Sequence, residues 1–185
     1  MGTAVVTTTI VREVTPGVYV FGVSPDAVRA LKTSIYAYRE ANAGRTYAPN
    51  SMNKYGLILS GGKMRDTVQE LQWIYIEDLA ADYYDLKLKV NPYAFLVDYE
   101  MNKQRSLAAH FDSSDVTMNL CLEQKSFGGE LVFYDRAGKK PVCEIKHRVG
   151  QAIIHRGSHV HRAKPITEGR RTNLILWCQA KKRRL

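Results

Sequence analysis

The chain of 185 residues has few cysteines and no long apolar run, and both shortages narrow the classes of protein to which it can belong. No stretch approaches the ~20 consecutive apolar residues that a membrane-spanning helix needs. Cys121, Cys143 and Cys178 are odd in number, widely spaced and set among apolar residues, which favours reduced, buried thiols over a disulfide framework. Met1 to Ile10 lacks a basic start followed by an apolar run. We therefore expect no secretory signal and an intracellular location, cytoplasmic or nuclear.

The composition fits a single globular domain with an excess of positive charge. Hydrophobic residues make up 45 % of the chain. This fraction is enough to bury a core, so we expect a folded domain and not a disordered chain. The formal net charge is +9, and much of the excess lies in Lys139–Lys140 and in the terminal run Lys181–Arg184. We interpret these as a solvated loop and a basic tail. Binding of an acidic partner, or a targeting role for the tail, is the alternative.

The first part of the chain predicts two strands and a helix. Val5 to Val23 contains two β-rich runs, with Pro16–Gly17 at the turn between them. Ser24 and Pro25 mark a helix start, because proline is favoured in the first helical turn. Four apolar residues at helical spacing give this helix one apolar face, namely Val28, Leu31, Ile35 and Tyr38.

A long loop and a second helix come next. Asn42 to Lys63 is rich in Gly, Asn, Ser, Pro and Tyr, which indicates a loop. Within it, Tyr47–Lys54 is a candidate substrate lid, because long loops in compact domains are often functional. We predict one helix over Asp66–Tyr84, with an apolar face formed by Val68, Leu71, Tyr75 and Leu79.

From Pro92 onward, short apolar runs alternate with glycine-containing turns. Strands at this spacing indicate an antiparallel sandwich or barrel. The fold class is therefore α+β in a single domain, with strands and support helices over 1–91, a β core over 92–180 and the basic tail over 181–185. The predicted core strands are Tyr93–Tyr99, Val116–Leu122, Glu130–Tyr134, Pro141–Lys146, Gln151–His155, Val160–Lys164 and Arg171–Cys178.

His110 and Asp112 are the first candidate metal ligands. Residues i and i+2 of an extended strand point to the same face, so an imidazole and a carboxylate project side by side. One further histidine would complete a 2-His-1-carboxylate triad, which leaves open positions on non-haem iron(II). The H-x-D pattern on its own is common by chance, so the assignment depends on the third ligand.

Three histidines cluster downstream and supply candidates for that ligand. His155, His159 and His161 lie among apolar residues within seven positions. His161 is the preferred ligand, His159 is the alternative because it shares strand parity with His161, and His155 is interpreted as a core or supporting histidine. A surface hairpin with incidental histidines is the competing interpretation.

Arg171 follows as a candidate anion-binding residue. If Pro165–Gly169 is a hairpin turn centred on Ile166, His161 lies directly opposite Arg171, and opposed side chains share a face. An arginine inside an apolar strand needs an anionic partner, and its guanidinium matches a carboxylate in bidentate fashion. A dicarboxylate that chelates the metal at one end would meet this need.

These motifs occur in an order that resembles a known family. His110-x-Asp112, Gly128-Gly129-Glu130-Leu131-x-Phe133 and His155-x-Gly157-x-x-x-His161-x-x-x-Pro165-Ile166-x-x-Gly169-x-Arg171 are similar to the double-stranded β-helix core of 2-oxoglutarate/Fe(II) oxygenases. The resemblance covers about Tyr93 to Gln179, and the subgroup it resembles most is the prolyl and lysyl hydroxylases. The ten-residue step from the distal histidine to the arginine is similar to that of lysyl hydroxylases.

The resemblance implies an enzyme and assigns roles. His110, Asp112 and His161 would bind Fe(II), and Arg171 would bind the distal carboxylate of 2-oxoglutarate. The reaction would use O2, convert 2-oxoglutarate to succinate and hydroxylate a substrate, for which a prolyl or lysyl side chain of a peptide or protein is favoured. Ascorbate would be an accessory reductant by analogy. Tyr99 resembles a tyrosine that helps to hold 2-oxoglutarate.

Asn119 is a further candidate for cosubstrate binding. It shares strand parity with Thr117 and Cys121, and a polar amide among apolar neighbours needs a hydrogen-bond partner. The cosubstrate or a nearby polar side chain would provide that partner, and core packing is the alternative for Tyr99.

Two other functions stay open at this point. A nucleic-acid dealkylating oxygenase of the AlkB type is suggested by the basic charge and by Arg171-Thr172-Asn173, but Trp177 stands where the final arginine of that group's pattern belongs. A non-catalytic metal-binding β-barrel module is the second alternative. Such a module would have no need of Arg171 in addition to a metal-binding triad.

Overall fold

The computed structural model describes residues 10–43 and 48–182. The start of the first predicted strand, Tyr47 of the candidate lid and Arg183–Arg184 of the basic tail lie outside the described residues. In chain order the strands are β1 (Arg12–Thr15), β2 (Val18–Gly22), β3 (Gly56–Ile58), β4 (Tyr93–Glu100), β5 (Leu107–His110), β6 (Val116–Gly128), β7 (Leu131–Tyr134), β8 (Pro141–Ile145), β9 (Gln151–Arg156), β10 (His161–Ala163) and β11 (Ile166–Cys178). The helices are α1 (Pro25–Ala41), α2 (Arg65–Tyr75) and α3 (Glu77–Tyr84), and a 3-10 turn spans Gly62–Met64.

The strands form two antiparallel sheets that face each other. The larger sheet has the order β1-β2-β9-β6-β11-β4-β3, and the smaller has the order β5-β10-β7-β8. An apolar core lies between the sheets, with Phe95, Val97 and Ile175 from the larger sheet and Leu131 and Phe133 from the smaller. The α+β prediction is confirmed, because two β layers enclose one core and the helices form a further layer.

The helices cover the outer face of the larger sheet. Val28, Leu31 and Ile35 of α1 are buried against this face, as predicted, and share a core with Leu120 and Leu174. Strand residues alternate between the two cores, since Leu174 and Leu176 face the helices while Ile175 faces the smaller sheet. Both faces of the central strands are therefore buried, which explains their almost continuous apolar sequences.

Local signals locate α1 correctly but not the next helix. The Ser24 hydroxyl accepts a hydrogen bond from the backbone N–H of Ala27 at 3.2 Å, and Pro25 is the first helical residue. The prediction of one helix over Asp66–Tyr84 is wrong, because the chain breaks at Ile76 into α2 and α3. Ile76 has φ −125°, which lies outside the helical range, and its side chain is completely buried.

The predicted hairpin that placed His161 opposite Arg171 is also wrong. His161 pairs with His110 and Phe133 in the smaller sheet, whereas Arg171 pairs with Tyr99 and Gln124 in the larger one. The chain crosses between the sheets at Lys164–Pro165, and β11 begins at Ile166 instead of after Gly169. Proline has no N–H to donate, which suits this crossing, and the glycine at φ +71° lies within an irregular stretch of the strand and not in a turn.

From the sequence, the three thiols were predicted to be reduced and buried, and no membrane-spanning helix was predicted. Cys121, Cys143 and Cys178 are free, the first and third are buried, and Cys143 is partly exposed. Among the described helices, none is long and apolar enough to cross a membrane.

Candidate metal centre

His110, Asp112 and His161 meet at one end of the space between the sheets. His110 ends β5 and His161 begins β10, and the two residues are paired across these neighbouring strands. Asp112 lies two residues after the end of β5, so the prediction that one extended strand carries both His110 and Asp112 is wrong for Asp112. One potential ligand atom from each of the three side chains lies within 4.8 Å of the others, and their side chains are mostly buried.

The hydrogen bonds of the two imidazoles point their free nitrogens at Asp112. Nδ1 of His110 lies 2.8 Å from the carbonyl oxygen of Ala108, and Nδ1 of His161 lies 2.9 Å from that of His159. A carbonyl oxygen only accepts, so each Nδ1 carries the hydrogen and each Nε2 keeps its lone pair. The Nε2 atom of His110 lies 3.5 Å from Oδ1 of Asp112, and that of His161 lies 3.8 Å from Oδ2. Histidines that bind metals commonly have this arrangement, in which the other ring nitrogen donates to a backbone carbonyl.

Asp112 is oriented by a short chain of hydroxyl groups. Thr117 donates its hydroxyl hydrogen to Oδ2 of Asp112 at 2.7 Å, so it accepts the hydrogen of Ser114, whose hydroxyl is also 2.7 Å away. The backbone N–H of Asp112 donates to the carbonyl of Gly157 at 2.8 Å. A side chain at Gly157 would place its Cβ 1.9 Å from the carbonyl oxygen of Ser114, so only glycine fits this approach.

The protonation states suit metal binding. Burial raises the pKa of the Asp112 carboxyl, but the neighbouring His110, His161 and His155 outweigh it and hold that pKa well below its usual range. Burial, together with the nearby His155, lowers the pKa of His161 to about 3. Burial lowers the pKa of His110, but its contact with Asp112 and its hydrogen bond to the Ala108 carbonyl outweigh burial and raise that pKa above the ordinary value. Near neutral pH the site therefore presents the Asp112 carboxylate and the neutral imidazole of His161, and metal binding would displace the proton from His110. This donor set fits Fe(II), which two imidazoles and one carboxylate bind in non-haem enzymes.

The two other clustered histidines have different roles. His159 donates from Nε2 to the carbonyl of Tyr134 at 3.0 Å, and so it does not join the three ligand atoms. His155 is completely buried beside the site, with Nε2 3.9 Å from Oδ2 of Asp112. Its Nδ1 lies 2.8 Å from the carbonyl of Arg156, and its Nε2 has no hydrogen-bond partner among the described residues.

Arg171 lies in the same interior but on the opposite sheet. It is 2 % exposed, its guanidinium carbon is 4.5 Å from the Tyr99 ring centroid, and its Nη1 donates to the carbonyl of Gly129. Its Nε has no hydrogen-bond partner within the described part of the chain, and no described carboxylate forms an ion pair with it. A buried guanidinium without an anion is costly, so this side chain is suited to a carboxylate ligand.

One cavity is lined by five of the six predicted residues. It is lined by His110, Asp112 and His161 at one end, and Tyr99 and Asn119 also contribute to its wall. Strand register places Arg171 beside Tyr99, on β11 next to β4. The six residues predicted from the sequence are thus brought to one interior.

Sequence reasoning left three lining residues without a role. Thr117 was recognised only by its parity with Asn119, and its bond to Asp112 depends on a turn that no local pattern predicts. Asn53, in the part of the candidate lid that the structure describes, lines the cavity. Trp177, considered only as a departure from another pattern, lines it too, and its indole N–H has no acceptor among the described residues.

Comparison with known proteins shows which family the second half of the chain resembles. A family model of the 2OG-Fe(II) oxygenase superfamily matches residues 94–179, the span that contains the whole triad and Arg171. The matched segment, a little under half of the chain, is therefore similar to the core of this superfamily. The resemblance carried by the ordered motifs is confirmed for this segment.

Two curated relatives illustrate the extent of similarity. The chain is 31 % identical over 192 residues to the 2-oxoglutarate and iron-dependent oxygenase domain-containing protein CP2 of Arabidopsis thaliana, with 92 % of this chain and 48 % of that protein covered. It is 40 % identical over 103 residues to the procollagen lysyl hydroxylase and glycosyltransferase of Acanthamoeba polyphaga mimivirus, with 50 % of this chain and 10 % of that protein covered. The chain spans about half the length of the first relative and a tenth of the second.

A solved structure shows that the fold is shared. A prolyl 4-hydroxylase of Pseudomonas putida superimposes on the chain with a TM-score of 0.63 at 16 % identity, covering 91 % of this chain and 95 % of that one. The predicted double-stranded β-helix core is thereby confirmed. At this identity the likeness concerns the fold alone.

Proposed function

We propose that this oxygenase hydroxylates a prolyl or lysyl side chain of a peptide or protein, with conversion of 2-oxoglutarate to succinate. His110, Asp112 and His161 hold Fe(II), and Arg171 binds the distal carboxylate of 2-oxoglutarate. The observation that carries the proposal is the buried Arg171, which has no carboxylate partner among the described residues and shares an interior with the triad.

The protein's own contribution is to bind, orient and exclude water. When bound, iron supplies the activation of O2. Arg171 and Tyr99 form the polar end of the cosubstrate site, and Ile175 and Leu131 line the same cavity as Tyr99 and the metal ligands. Apolar walls keep water from the reacting groups and strengthen the charge interaction at Arg171, because the local dielectric constant is low.

The rim of the site supports a peptide as substrate. Phe111, between two predicted ligands, is 68 % exposed. Tyr93, Phe95 and Trp177 form an aromatic cluster, with ring centroids 5.1 to 6.0 Å apart, and the last two line the metal cavity. Aromatic rings of this kind pack against apolar side chains such as the ring of proline or the stem of lysine. The names of the lysyl hydroxylase relative and of the prolyl 4-hydroxylase structure favour the same class.

The direct test is turnover of 2-oxoglutarate in the presence of peptides. Fe(II)-loaded protein is incubated with 2-oxoglutarate, O2 and ascorbate, with a peptide library rich in proline or lysine, and with Asp112→Ala as the inactive control. We expect succinate and a mass increase of about 16 on a peptide, the mass of one oxygen atom. Succinate formation with no modified peptide would overturn the peptide assignment, and a protein that neither binds nor consumes 2-oxoglutarate would overturn the oxygenase activity.

A further inference from the structure

A buried row of polar side chains lies between the sheets beside Arg171. His147, Asn173 and Asn119 are 3 %, 2 % and 8 % exposed. Asn173 is two residues from Arg171 on β11, and Asn119 is two residues from Thr117 on β6. The row therefore lies between Arg171 and Thr117, the residue that supports the metal ligand Asp112. Asn119 is also part of the wall of the metal cavity.

One backbone carbonyl fixes the direction of the first hydrogen bond in this row. Nε2 of His147 lies 3.0 Å from the carbonyl oxygen of Gln151, which only accepts, so Nε2 carries the hydrogen. Burial, and then the nearby Arg171, lower the pKa of His147 to about 3, and the ring is neutral at physiological pH. Its Nδ1 therefore holds a lone pair and accepts a hydrogen bond.

The same logic orients the two amides. Nδ2 of Asn173 lies 3.0 Å from Nδ1 of His147 and 2.7 Å from Oδ1 of Asn119. An amide nitrogen has two hydrogens, so Asn173 donates one to the imidazole and the other to Asn119. Because Asn119 accepts through its oxygen, its own NH2 group is left for the cavity.

We infer that His147 and Asn173 are positioning residues that hold the Asn119 amide with its N–H groups toward bound 2-oxoglutarate. This inference rests on the proposed function. An ionised carboxylate only accepts hydrogen bonds, so it is stabilised by an amide that presents NH2 and repelled by one that presents oxygen. The row thus adds a neutral donor to the charged donor Arg171. It also prevents the amide from turning, which would reverse its effect.

The first experiment replaces the donor and keeps the rest of the row. Asn119→Asp retains an oxygen that accepts from Asn173, but it exchanges the NH2 group for a second oxygen. Binding of 2-oxoglutarate to Co(II)-loaded protein is measured by calorimetry. We expect the Kd for 2-oxoglutarate to rise about tenfold or more, as for loss of a hydrogen bond to a charged group, while the Kd for Co(II) stays within about threefold.

The second experiment separates positioning from a general structural effect. His147→Phe removes the acceptor that orients Asn173, so we expect the Kd for 2-oxoglutarate to rise about 3- to 10-fold when Asn119 is present, a fraction of the effect of losing the bond itself. In the Asn119→Asp variant the side chain at 119 ends in two equivalent oxygens, so it no longer has an orientation that His147 and Asn173 could fix. His147→Phe should then cause no further loss, which a double-mutant cycle measures as strong non-additivity.

Controls keep the outcomes distinct. Asn102→Asp makes the same substitution as Asn119→Asp on the exposed turn after β4 and should leave both dissociation constants unchanged. Unchanged 2-oxoglutarate affinity in Asn119→Asp, or additive losses in the cycle, would overturn the inference while the proposed function stands. Absence of 2-oxoglutarate binding by the unmodified chain would instead overturn the proposed function. If His147→Phe does not fold, Asn119→Asp alone decides.

Discussion

The guanidinium carbon of Arg171 lies 4.5 Å from the ring centroid of Tyr99, and the two residues are direct partners across the antiparallel strands β11 and β4. This cation–π contact holds the charge at one end of the cavity without neutralising it. The described part of the chain supplies no carboxylate there, so the arginine keeps its capacity for an anionic ligand.

Arg171→Ala should weaken 2-oxoglutarate binding and spare metal binding. Loss of a buried charge partner costs a carboxylate ligand several kcal/mol, so we expect the Kd for 2-oxoglutarate to rise about 100-fold or more. The Kd for Co(II), measured by competition with a chelator, should change little because Arg171 lies on the other sheet from His110 and His161. Equal loss of both affinities would contradict the assigned role.

Asp112→Ala should abolish tight metal binding. Asp112 supplies the only carboxylate of the triad that the described residues form. We expect the Kd for Co(II) to rise by two orders of magnitude or more, roughly the loss of one charged ligand. Asp26→Ala is the matched control, since Asp26 lies on the exposed first turn of α1 and pairs with Arg29, and it should bind Co(II) as the unmodified protein does.

Thr117→Val tests whether Asp112 is oriented by its hydroxyl neighbour. Valine keeps the shape of threonine but removes the hydrogen bond to Oδ2 of Asp112. We expect Co(II) affinity to fall about 10- to 100-fold, as is usual when a group that supports a metal ligand is removed. An unchanged affinity would show that Gly157 and the turn hold the carboxylate without Thr117.

Gly129→Ala should displace Arg171. Gly129 has φ +78°, and a Cβ there would lie 2.9 Å from Nη1 of Arg171 and 2.7 Å from Cγ2 of Ile166. We expect a loss of stability of about 1–3 kcal/mol from backbone strain and crowding, seen in urea unfolding. The Kd for 2-oxoglutarate should rise as well. Gly138→Ala, at φ +69° in the turn after β7, tests strain without contact to Arg171 and should leave that Kd unchanged.

The pH dependence of unfolding should reveal the buried His147. Its folded-state pKa of about 3 lies below the ordinary value of 6.5, so the unfolded chain binds the proton more tightly. The stability that neutral His147 contributes is present above pH 6.5 and is lost as pH falls toward 3. In metal-free protein, the stability difference between the unmodified chain and His147→Phe should shrink by about 1.4 kcal/mol per pH unit below 6.5. A difference independent of pH would contradict a buried neutral imidazole.

Local sequence patterns predicted the strands and helices of this fold better than they predicted which strands pair with each other. The seven apolar runs after Pro92 all became strands, because alternation and burial act over a few residues. β5 was missed, since Leu107–His110 is short and follows a polar stretch. β11 was predicted too short because Gly169 looked like a turn, whereas Gly169 pairs with Ser126 inside the strand, between two shifts of register.

The site was predicted as a set of residues, and its geometry was not. The order of the motifs assigned Arg171 and His161 to one site. The hairpin that was predicted to pair them is wrong, because they lie on different sheets. Which sheet each strand joins depends on packing between distant segments, and a sequence pattern of period two contains no such information. His147 had no signal at all, since it lies between two strands where a polar residue is expected.

The division of the site between two sheets has a consequence for thermal unfolding. His110 and His161 belong to the smaller sheet and Arg171 to the larger, so a metal alone is anchored on one side, while a metal-bound dicarboxylate would link both. Such a ligand acts as a removable cross-link that resists separation of the layers. Metal and 2-oxoglutarate together should therefore raise the melting temperature by more than the sum of their separate effects, and a monocarboxylate keto acid such as pyruvate should not reproduce the excess.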